Sequence, residues 1–202
     1  MIESKEFSVA FVDQLMAGDR QAFSELVDRT SGRIYNLGLR MLGNPQDAED
    51  MLQETYIKAF KALSGFEKRS SVTTWLFRIA VNEALMLLRK SKNIVHVDGY
   101  AGEEEDGEQD LDIVDWCCLP EHEFLSEETL VMLTRAAEQL SPALRMVFIL
   151  RDVQGFSTQE TAEILQINED TVKTRLVRAR LKLRAELGDY FRERMEGSNS
   201  NE

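Results

Sequence analysis

The chain has 202 residues, of which 43% are hydrophobic and 30% are charged, and its formal net charge is −12 at pH 7. This length suits one large or two small domains, and the few prolines and strand-like alternations favour an all-helical fold. The first residues are charged and no stretch approaches ~20 consecutive apolar residues, so we expect no signal peptide, no membrane insertion and a cytoplasmic protein.

The first 92 residues predict four helices. Apolar residues mark the first helix over 7–15 and the second over 22–42. Glycine-containing segments end these two helices at 17–19 and at Gly43, and Gly32 predicts a disturbance within the second.

The third helix begins at Asn44 and Pro45, because asparagine is a good N-cap and proline is tolerated at the first helical position. Acids occupy its early turns and lysines its last turns, which complements the helix dipole. Asp47, Asp50 and Glu54 also have a spacing that a metal ion could use. No second helix supplies matching acidic ligands, so we predict no metal site and no cofactor.

The fourth helix, predicted over 74–90, is apolar around most of its circumference and should pack on several neighbours. A polar stripe with Arg78 and Asn82 interrupts this apolar surface. The loop before the helix, 64–73, contains Phe66. An aromatic loop beside a polar, partly basic helix is typical of a surface that stacks an unpaired base, although an aromatic residue alone is more often part of a core.

An acidic segment follows. Residues 93–134 contain thirteen acids and no Lys or Arg, which leaves 23 acids against 24 bases in the rest of the chain. We interpret 93–125 as a flexible linker that is either a passive tether or a polyanion that imitates nucleic acid. Its two cysteines, Cys117 and Cys118, are adjacent, which is a poor spacing for zinc and favours ordinary reduced thiols.

The stretch 141–187 predicts three more helices. Ser141 and Pro142 begin the first of them. Ser157 and Glu160 match the S-x-x-E capping box, which predicts the start of a short second helix. A three-residue turn and a longer helix follow, and the apolar residues of this last helix step by three or four.

The last helix is also basic, and no acid lies between positions 171 and 184. Its cationic residues are Lys173, Arg175, Arg178, Arg180, Lys182 and Arg184. A short helix, a turn and a longer helix with one apolar and one cationic edge predict a helix-turn-helix that places the longer helix in the major groove. The alternative is a helical bundle with a solvated basic face.

Three stretches resemble one protein family. Residues 47–56, DAEDMLQETY, resemble the D-A-E-D-x-x-Q-E-x-F signature of bacterial sigma factors. Residues 74–82, TWLFRIAVN, resemble the T-W-L-x-R-I-A-x-N run of the extracytoplasmic-function (ECF) group of those factors. Residues 140–180 are similar to the promoter-reading domain of the same group, so the resemblance extends over about 7–187.

The resemblance implies two small helical domains joined by a flexible acidic linker. Residues 1–92 would bind core RNA polymerase and recognise and melt the −10 promoter element, and 93–125 would be the linker. Residues 126–190 would form the helix-turn-helix domain that recognises the −35 element, followed by a tail over 191–202. The implied partners are core RNA polymerase, promoter DNA and an anti-sigma factor, with no small-molecule substrate and no enzymatic activity.

The resemblance also implies a role for individual residues. Asp50, Gln53 and Glu54 would bind core polymerase. Ala62, Leu63, Phe66, Arg78 and Asn82 would contact the −10 element, where a base is flipped out of the duplex. Lys173, Thr174, Arg175, Val177 and Arg178 would contact the −35 element. Glu67, Lys68 and Arg69 depart from the pattern of many relatives, and so does Val177, which leaves both promoter sequences open.

Two other functions remain open from the residues alone. A free-standing helix-turn-helix regulator would bind DNA without polymerase, but such a protein leaves the N-terminal helices unexplained. A helical metal-dependent hydrolase would use Asp47, Asp50 and Glu54, and it would lose turnover on Asp50→Asn.

Overall fold

The computed structural model describes residues 7–91, 136–137 and 139–198. All regular elements within these residues are helical, which confirms the all-α fold class. None of the helices described is both long and apolar enough to cross a membrane. The predicted linker, 93–125, lies outside the described residues together with both cysteines.

Four α-helices and a short 3-10 turn form the N-terminal half. They are α1 (Val9–Met16), α2 (Arg20–Leu42), α3 (Pro45–Ala62), the 3-10 turn (Leu63–Gly65) and α4 (Val72–Ser91). Ser8, Asp19 and Asn44 cap the first three helices, and each side chain accepts a hydrogen bond from a first-turn N–H. Gly43 ends α2 with a φ of 70°, a left-handed conformation that glycine adopts without strain.

Two details of this half differ from the prediction. Helix α4 begins at Val72 rather than at residue 74. Helix α2 continues through Gly32 without a break, so the disturbance predicted there is absent. One glycine costs a helix only about 1 kcal/mol relative to alanine, and burial of Leu26 and Ile34 on either side offsets that cost.

The C-terminal half contains a helix-turn-helix. Its elements are α5 (Pro142–Phe148), a π-helical turn (Ile149–Val153), α6 (Thr158–Leu165) and α7 (Glu169–Ser198). Both bonds of the predicted capping box are present, from the Glu160 N–H to Ser157 Oγ (3.1 Å) and from the Ser157 N–H to Glu160 Oε2 (2.7 Å). In the turn that follows α6, Gln166 has a φ of 56°, and Asn168 Oδ1 accepts a hydrogen bond from the Thr171 N–H.

Two other details of the C-terminal half were not expected. Ser141 occupies the N-cap position of α5, but its hydroxyl makes no capping hydrogen bond with the described residues. Helix α7 continues to Ser198, so its backbone includes most of the stretch that we assigned to a tail.

Helices α2, α3 and α4 pack as a three-helix unit, and α2 lies close against α3 at Gly38. A Cβ atom at this position would lie 2.8 Å from Met51 Cε and 3.2 Å from Ala48 Cα, both on α3. Lys58 of α3 binds Glu83 of α4 through a 2.6 Å contact between Lys58 Nζ and Glu83 Oε1, and the Glu83 side chain is only 6% exposed. Position 38 therefore sets the spacing of α2 and α3, and this ion pair joins α3 to α4.

The apolar core continues from one half of the chain into the other. On the opposite side from α3, helix α4 packs against α6 of the helix-turn-helix. The rings of Phe77 and Phe156 meet edge to face across this boundary, with centroids 4.7 Å apart. In the part of the chain that the structure describes, the two halves are therefore joined by buried apolar contacts.

The close approach at Gly38 leads to a prediction with an internal control. Gly38→Ala should lower the free energy of unfolding by about 1–2 kcal/mol, because crowding against α3 outweighs the gain in helix propensity. Gly32→Ala, on the same helix with no atom within 4 Å of the added Cβ, should raise it by about 0.5–1 kcal/mol. Urea unfolding of both variants measures the difference, and equal effects would contradict this account of the helix crossing.

Candidate nucleic-acid and polymerase interfaces

Helix α7 presents a polar, cationic face on the side opposite its core contacts. Val172, Leu176, Ala179 and Leu183 are buried against α5 and α6. The predicted −35 residues lie on the rest of the surface: Lys173, Thr174 and Val177 are exposed, and Arg175 and Arg178 are half-buried. We call these five residues the reading face, because an α-helix that exposes such side chains fits the major groove of DNA.

The charge of this face is uneven along the helix. Lys173 Nζ lies 3.0 Å from Asp170 Oδ1, and this hydrogen bond raises the pKa of Lys173. Thr174 Oγ1 donates to the Asp170 carbonyl at 2.9 Å. With Glu169 and Asp170 against Lys173, the start of α7 carries a net negative charge, and the cationic part of the face begins with Arg175 and Arg178.

Arg180 has a different environment, although the sequence pattern groups it with the other cations. Its Nε and Nη2 donate to the two carboxylate oxygens of Asp152, at 2.9 and 2.6 Å, and this pairing raises the pKa of Arg180. Asp152 lies in the π-helical turn, so the ion pair holds α7 against the turn that follows α5. Arg180 therefore positions α7 and is not part of the reading face.

A cavity of about 300 Å³ opens beside the loop that precedes α4. We call it the loop cavity; its lining residues include Phe66, Trp75, Arg69, Arg78 and Glu163. The rings of Phe66 and Trp75 pack 5.1 Å apart at 46° and are only 5% and 8% exposed. The cavity thus combines two aromatic side chains and two guanidinium groups with the carboxylates of Glu67 and Glu163, and Glu67 Oε2 lies 2.7 Å from Arg69 Nε. The rings and the guanidinium groups suit an unpaired base and its phosphate.

The predicted −10 residues do not all meet at this cavity. Phe66 and Arg78 line it. Ala62 is exposed at the end of α3, and Leu63 is buried in the 3-10 turn. Asn82 is exposed on α4, one turn beyond Arg78, so these two side chains share one face of the helix.

The predicted polymerase-binding residues follow one side of α3. Asp50 and Gln53 are exposed, and Glu54 is half-buried. Glu54 Oε1 lies 3.7 Å from Lys58 Nζ, which also forms an ion pair with Glu83. The hydrogen bond with Glu83 is the main cause of the raised pKa of Lys58.

Two large apolar side chains extend this surface toward the end of α3. Ile57 is 46% exposed and Phe60 is 51% exposed, in contrast with the buried Thr55 and Ala59 on the other side of the helix. The outer side of α3 is therefore acidic over its first turns, and over its last turns it exposes Ile57 and Phe60 beside Lys58 and Lys61. Exposed apolar side chains with charges around them are expected of a surface that docks on another protein.

Sequence reasoning missed several residues at these sites. Arg69 and Glu163 line the loop cavity, and Trp75 lines it although we expected such a residue in the core alone. Glu163 is far from the loop in the sequence, and no sequence pattern indicates that both line one cavity.

The carboxylates that the hydrolase alternative requires do not form a recognisable metal site. Within the described residues there is no group of three or more His, Cys, Asp or Glu side chains that could hold a metal ion. Asp47, Asp50 and Glu54 lie along one helix, with Glu54 paired to Lys58.

Two family models match the parts of the chain that contain these surfaces. The model for sigma-70 region 2 matches residues 26–94, and the model for sigma-70 region 4 matches residues 130–183. The first range contains α3, α4 and the loop cavity. The second contains the helix-turn-helix and the reading face.

Whole proteins match over most of their length. The ECF RNA polymerase sigma factor SigW of Bacillus subtilis is 35% identical over 178 residues, which cover 88% of this chain and 95% of the relative. A solved structure of CnrH in complex with the cytosolic domain of CnrY matches with a TM-score of 0.64 and 25% identity, covering 89% of this chain and 96% of that one. The sigma factor RpoE of Bartonella quintana, solved in complex with the anti-sigma factor NepR, matches with a TM-score of 0.62 and 25% identity, covering 82% and 96%.

Measurements of the free energy of unfolding can distinguish the arginine that positions α7 from an arginine that is only exposed on it. Arg180→Ala should lower the free energy of unfolding by about 1 kcal/mol, because it removes a partly buried bidentate pair and leaves Asp152 without that partner. Arg184→Ala, an exposed arginine on the same helix, should change it by less than about 0.5 kcal/mol. Thermal or urea unfolding compares the two, and an Arg180→Ala variant as stable as Arg184→Ala would contradict the positioning role.

Proposed function

The chain belongs to the ECF group of sigma-70 family RNA polymerase sigma factors, and from that premise we propose how its surfaces divide the reading of a promoter. It is a non-enzymatic factor that binds core RNA polymerase and directs promoter-specific transcription initiation. The observation that supports the division most directly is that one chain carries both a cationic helix-turn-helix face and an aromatic, guanidinium-lined cavity. Duplex DNA fits the first surface, and an unpaired base fits the second.

We assign recognition of the −35 element to residues 126–190 through the reading face. Arg175 and Arg178 are the two guanidinium groups on this face, and a bidentate contact from arginine to guanine discriminates between bases by about 1–3 kcal/mol. Val177 is 38% exposed and offers an apolar contact such as a thymine methyl group accepts. Lys173 and Thr174 supply groups for phosphate oxygens.

We assign recognition and melting of the −10 element to the N-terminal half, residues 1–92. Taking a base out of the duplex costs a few kcal/mol, which stacking and hydrogen bonds in a pocket can offset. Phe66 and Arg78 supply those contacts at the loop cavity. Asn82 and Ala62 extend the contact surface along α4 and the end of α3, and the buried Leu63 supports it from the 3-10 turn.

We assign binding of core polymerase to the outer side of α3. Asp50, Gln53 and Glu54 form its polar part, and Ile57 and Phe60 complete it with apolar area. A patch with an apolar centre and charges at its edge is typical of a specific protein interface.

An anti-sigma factor is a further proposed partner, because the similar structure of RpoE holds a sigma factor in complex with an anti-sigma factor, and the similar structure of CnrH also includes a partner protein. RNA polymerase and promoter DNA act in the cytoplasm, so we place the protein there. The acidic linker over 93–125 remains assigned as the tether between the two promoter-reading surfaces.

Run-off transcription tests the function. Purified bacterial core polymerase is combined with a library of promoter fragments, with and without the protein. Promoter-specific transcripts should appear only when the protein is present, and the enriched fragments identify both elements. Fragments bound by the protein alone, without polymerase-dependent transcripts, would instead support the free-standing regulator.

The α3 surface gives a prediction about polymerase affinity. Asp50→Asn combined with Glu54→Gln should weaken binding to core polymerase at least about tenfold, because two charges at a protein interface are lost while the fold is retained. Glu25→Gln combined with Glu186→Gln makes the same charge change at exposed positions elsewhere and should leave affinity unchanged. Fluorescence anisotropy with labelled protein measures the binding. Equal affinities for the two double variants would contradict the assignment of α3.

The reading face gives a prediction about salt dependence. Arg178→Ala should reduce promoter binding by the assembled polymerase while leaving the slope of log K against log salt concentration unchanged, because the proposed partner of Arg178 is a base. A slope reduced by about 0.9 would assign Arg178 to one phosphate instead. Arg20→Ala, an exposed arginine at the start of α2, serves as the control. Unchanged affinity for Arg178→Ala would contradict its place in the reading face.

A further inference from the structure

The loop before α4 is anchored at both of its ends. Phe66 is only 5% exposed, and its N–H donates to the Leu63 carbonyl at 3.1 Å. At the other end Val72 is 3% exposed, and Ser71 Oγ accepts a hydrogen bond from the Thr74 N–H at 3.0 Å. Between these anchors lie three exposed residues that we call the loop tip: Glu67, Lys68 and Arg69. Burial therefore fixes where the loop begins and ends, but it does not fix the conformation of the tip.

The loop tip has a backbone conformation that its own sequence disfavours. Lys68 has a φ of 55°, which lies in the left-handed region. There the Cβ atom of any residue other than glycine lies too close to the following carbonyl oxygen, and the clash lowers the population of this conformation by about tenfold. Such a residue persists where the surrounding structure holds it.

Helix α1 supplies a contact that holds the tip. Lys68 Nζ forms an ion pair and a hydrogen bond with Oδ1 of Asp13, which lies 55 positions earlier in the sequence. The Lys68 and Asp13 side chains are 41% and 57% exposed, so the pair offsets the disfavoured backbone by at most about fivefold. A factor of this size is enough to shift the conformation of a tip whose three side chains are all exposed.

Helix α1 is itself held in place, so Asp13 offers the tip a fixed partner. Leu15 on the same helix is fully buried. Just before the helix, Phe7 stacks on Phe11, and the guanidinium carbon of Arg29 on α2 lies 4.0 Å from the ring centroid of Phe7. Helix α1 also packs against the 3-10 turn. The ion pair therefore ties the tip to a helix that is anchored on the core.

The turn at Lys68 sends the three side chains of the tip in different directions. Lys68 reaches α1, whereas Glu67 and Arg69 line the loop cavity. A carboxylate accepts hydrogen bonds from the amino group of a base, and a guanidinium group donates to its carbonyl and ring nitrogen atoms. The positions of Glu67 and Arg69 thus decide which base edge fits the cavity.

We infer that Asp13 and Lys68 are positioning residues that set base selection at the −10 element. Their ion pair holds Lys68 in the left-handed conformation and so keeps Glu67 and Arg69 in place at the cavity, without either positioning residue touching the base. The inference gives α1 a role in promoter reading, which none of the surfaces proposed above includes. It rests on the proposed location of the −10 site at the loop cavity.

Base selection by the full-length protein in complex with core polymerase tests the inference. Run-off transcription on promoters randomised through the −10 element gives, at the most selective position, the ratio of transcripts with the preferred base to transcripts with the other three. Asp13→Ala should lower this ratio about threefold and keep promoter-specific transcription, because it removes the ion pair and no contact with DNA. Asp28→Ala, at an exposed aspartate on α2, is the matched control and should keep the wild-type ratio.

Two substitutions of Lys68 separate the role of its backbone from the role of its charge. Lys68→Gly loses the ion pair but adopts the left-handed conformation without strain, whereas Lys68→Ala loses the ion pair and keeps the clash. Lys68→Gly should therefore keep a higher ratio than Lys68→Ala, and it should also unfold at a higher urea concentration. Adding Asp13→Ala to Lys68→Gly should lower the ratio no further, because the ion pair is already absent.

Equal ratios for wild type, Asp13→Ala and Lys68→Ala would overturn the inference. Equal losses in Lys68→Gly and Lys68→Ala would also overturn it, because they would assign the lysine charge a direct contact with DNA. Absence of promoter-specific transcripts with the wild-type protein would instead overturn the proposed function, so the two failures are distinguishable.

Discussion

Helix α4 is apolar around most of its circumference, and the remaining architecture depends on covering it from two sides. Helices α2 and α3 cover one side, where Leu76, Ala80 and Ala84 are fully buried. Helix α6 of the C-terminal half covers the other, where Phe77 meets Phe156. Because exposing large apolar side chains is costly, at about 25 cal/mol for each Å² of apolar surface, a free chain gains by bringing its own helix-turn-helix onto α4.

The charges of the protein are arranged around these contacts. The whole chain is acidic, yet the cations on α7 present a locally positive surface, whereas the two arginines that line the loop cavity are balanced there by Glu67 and Glu163. Ion pairs that do not face a ligand fix helices in place: Lys58 with Glu83 between α3 and α4, and Arg180 with Asp152 behind α7. The cations are therefore divided between those that position helices and those that are left for DNA, a division that net charge conceals.

Most of the fold was predictable because its signals are local. The S-x-x-E capping box, the N-cap before Pro45 and the glycine after α2 each specify a helix end through neighbouring residues, and the structure has all of them. The apolar circumference of α4 correctly indicated several neighbours, but it did not indicate which ones. Contacts across long sequence separations, such as Phe77 with Phe156, leave no periodic signal, because each joins residues from independent patterns.

The reading face was easier to predict from the sequence than the proposed −10 surface, because its residues are neighbours in the sequence. The reading face lies on one helix, so spacing alone brings Lys173 to Arg178 together on its surface. The proposed −10 surface draws on a helix end, a loop and a second helix, so spacing does not determine which side chains meet. Phe66 and Arg78 line the cavity, whereas Leu63 is buried and Asn82 lies farther along α4.

The most direct test of the account is the distance between the two halves before and after promoter binding. Dyes can be attached at Ser24→Cys on α2 and Ala185→Cys on α7, both exposed, after Cys117 and Cys118 are replaced by serine. Energy transfer should be high in the free protein and should fall sharply in the complex with core polymerase and promoter DNA, as the halves separate to span the two elements. Low transfer in the free protein, or transfer that does not change in the complex, would contradict the account.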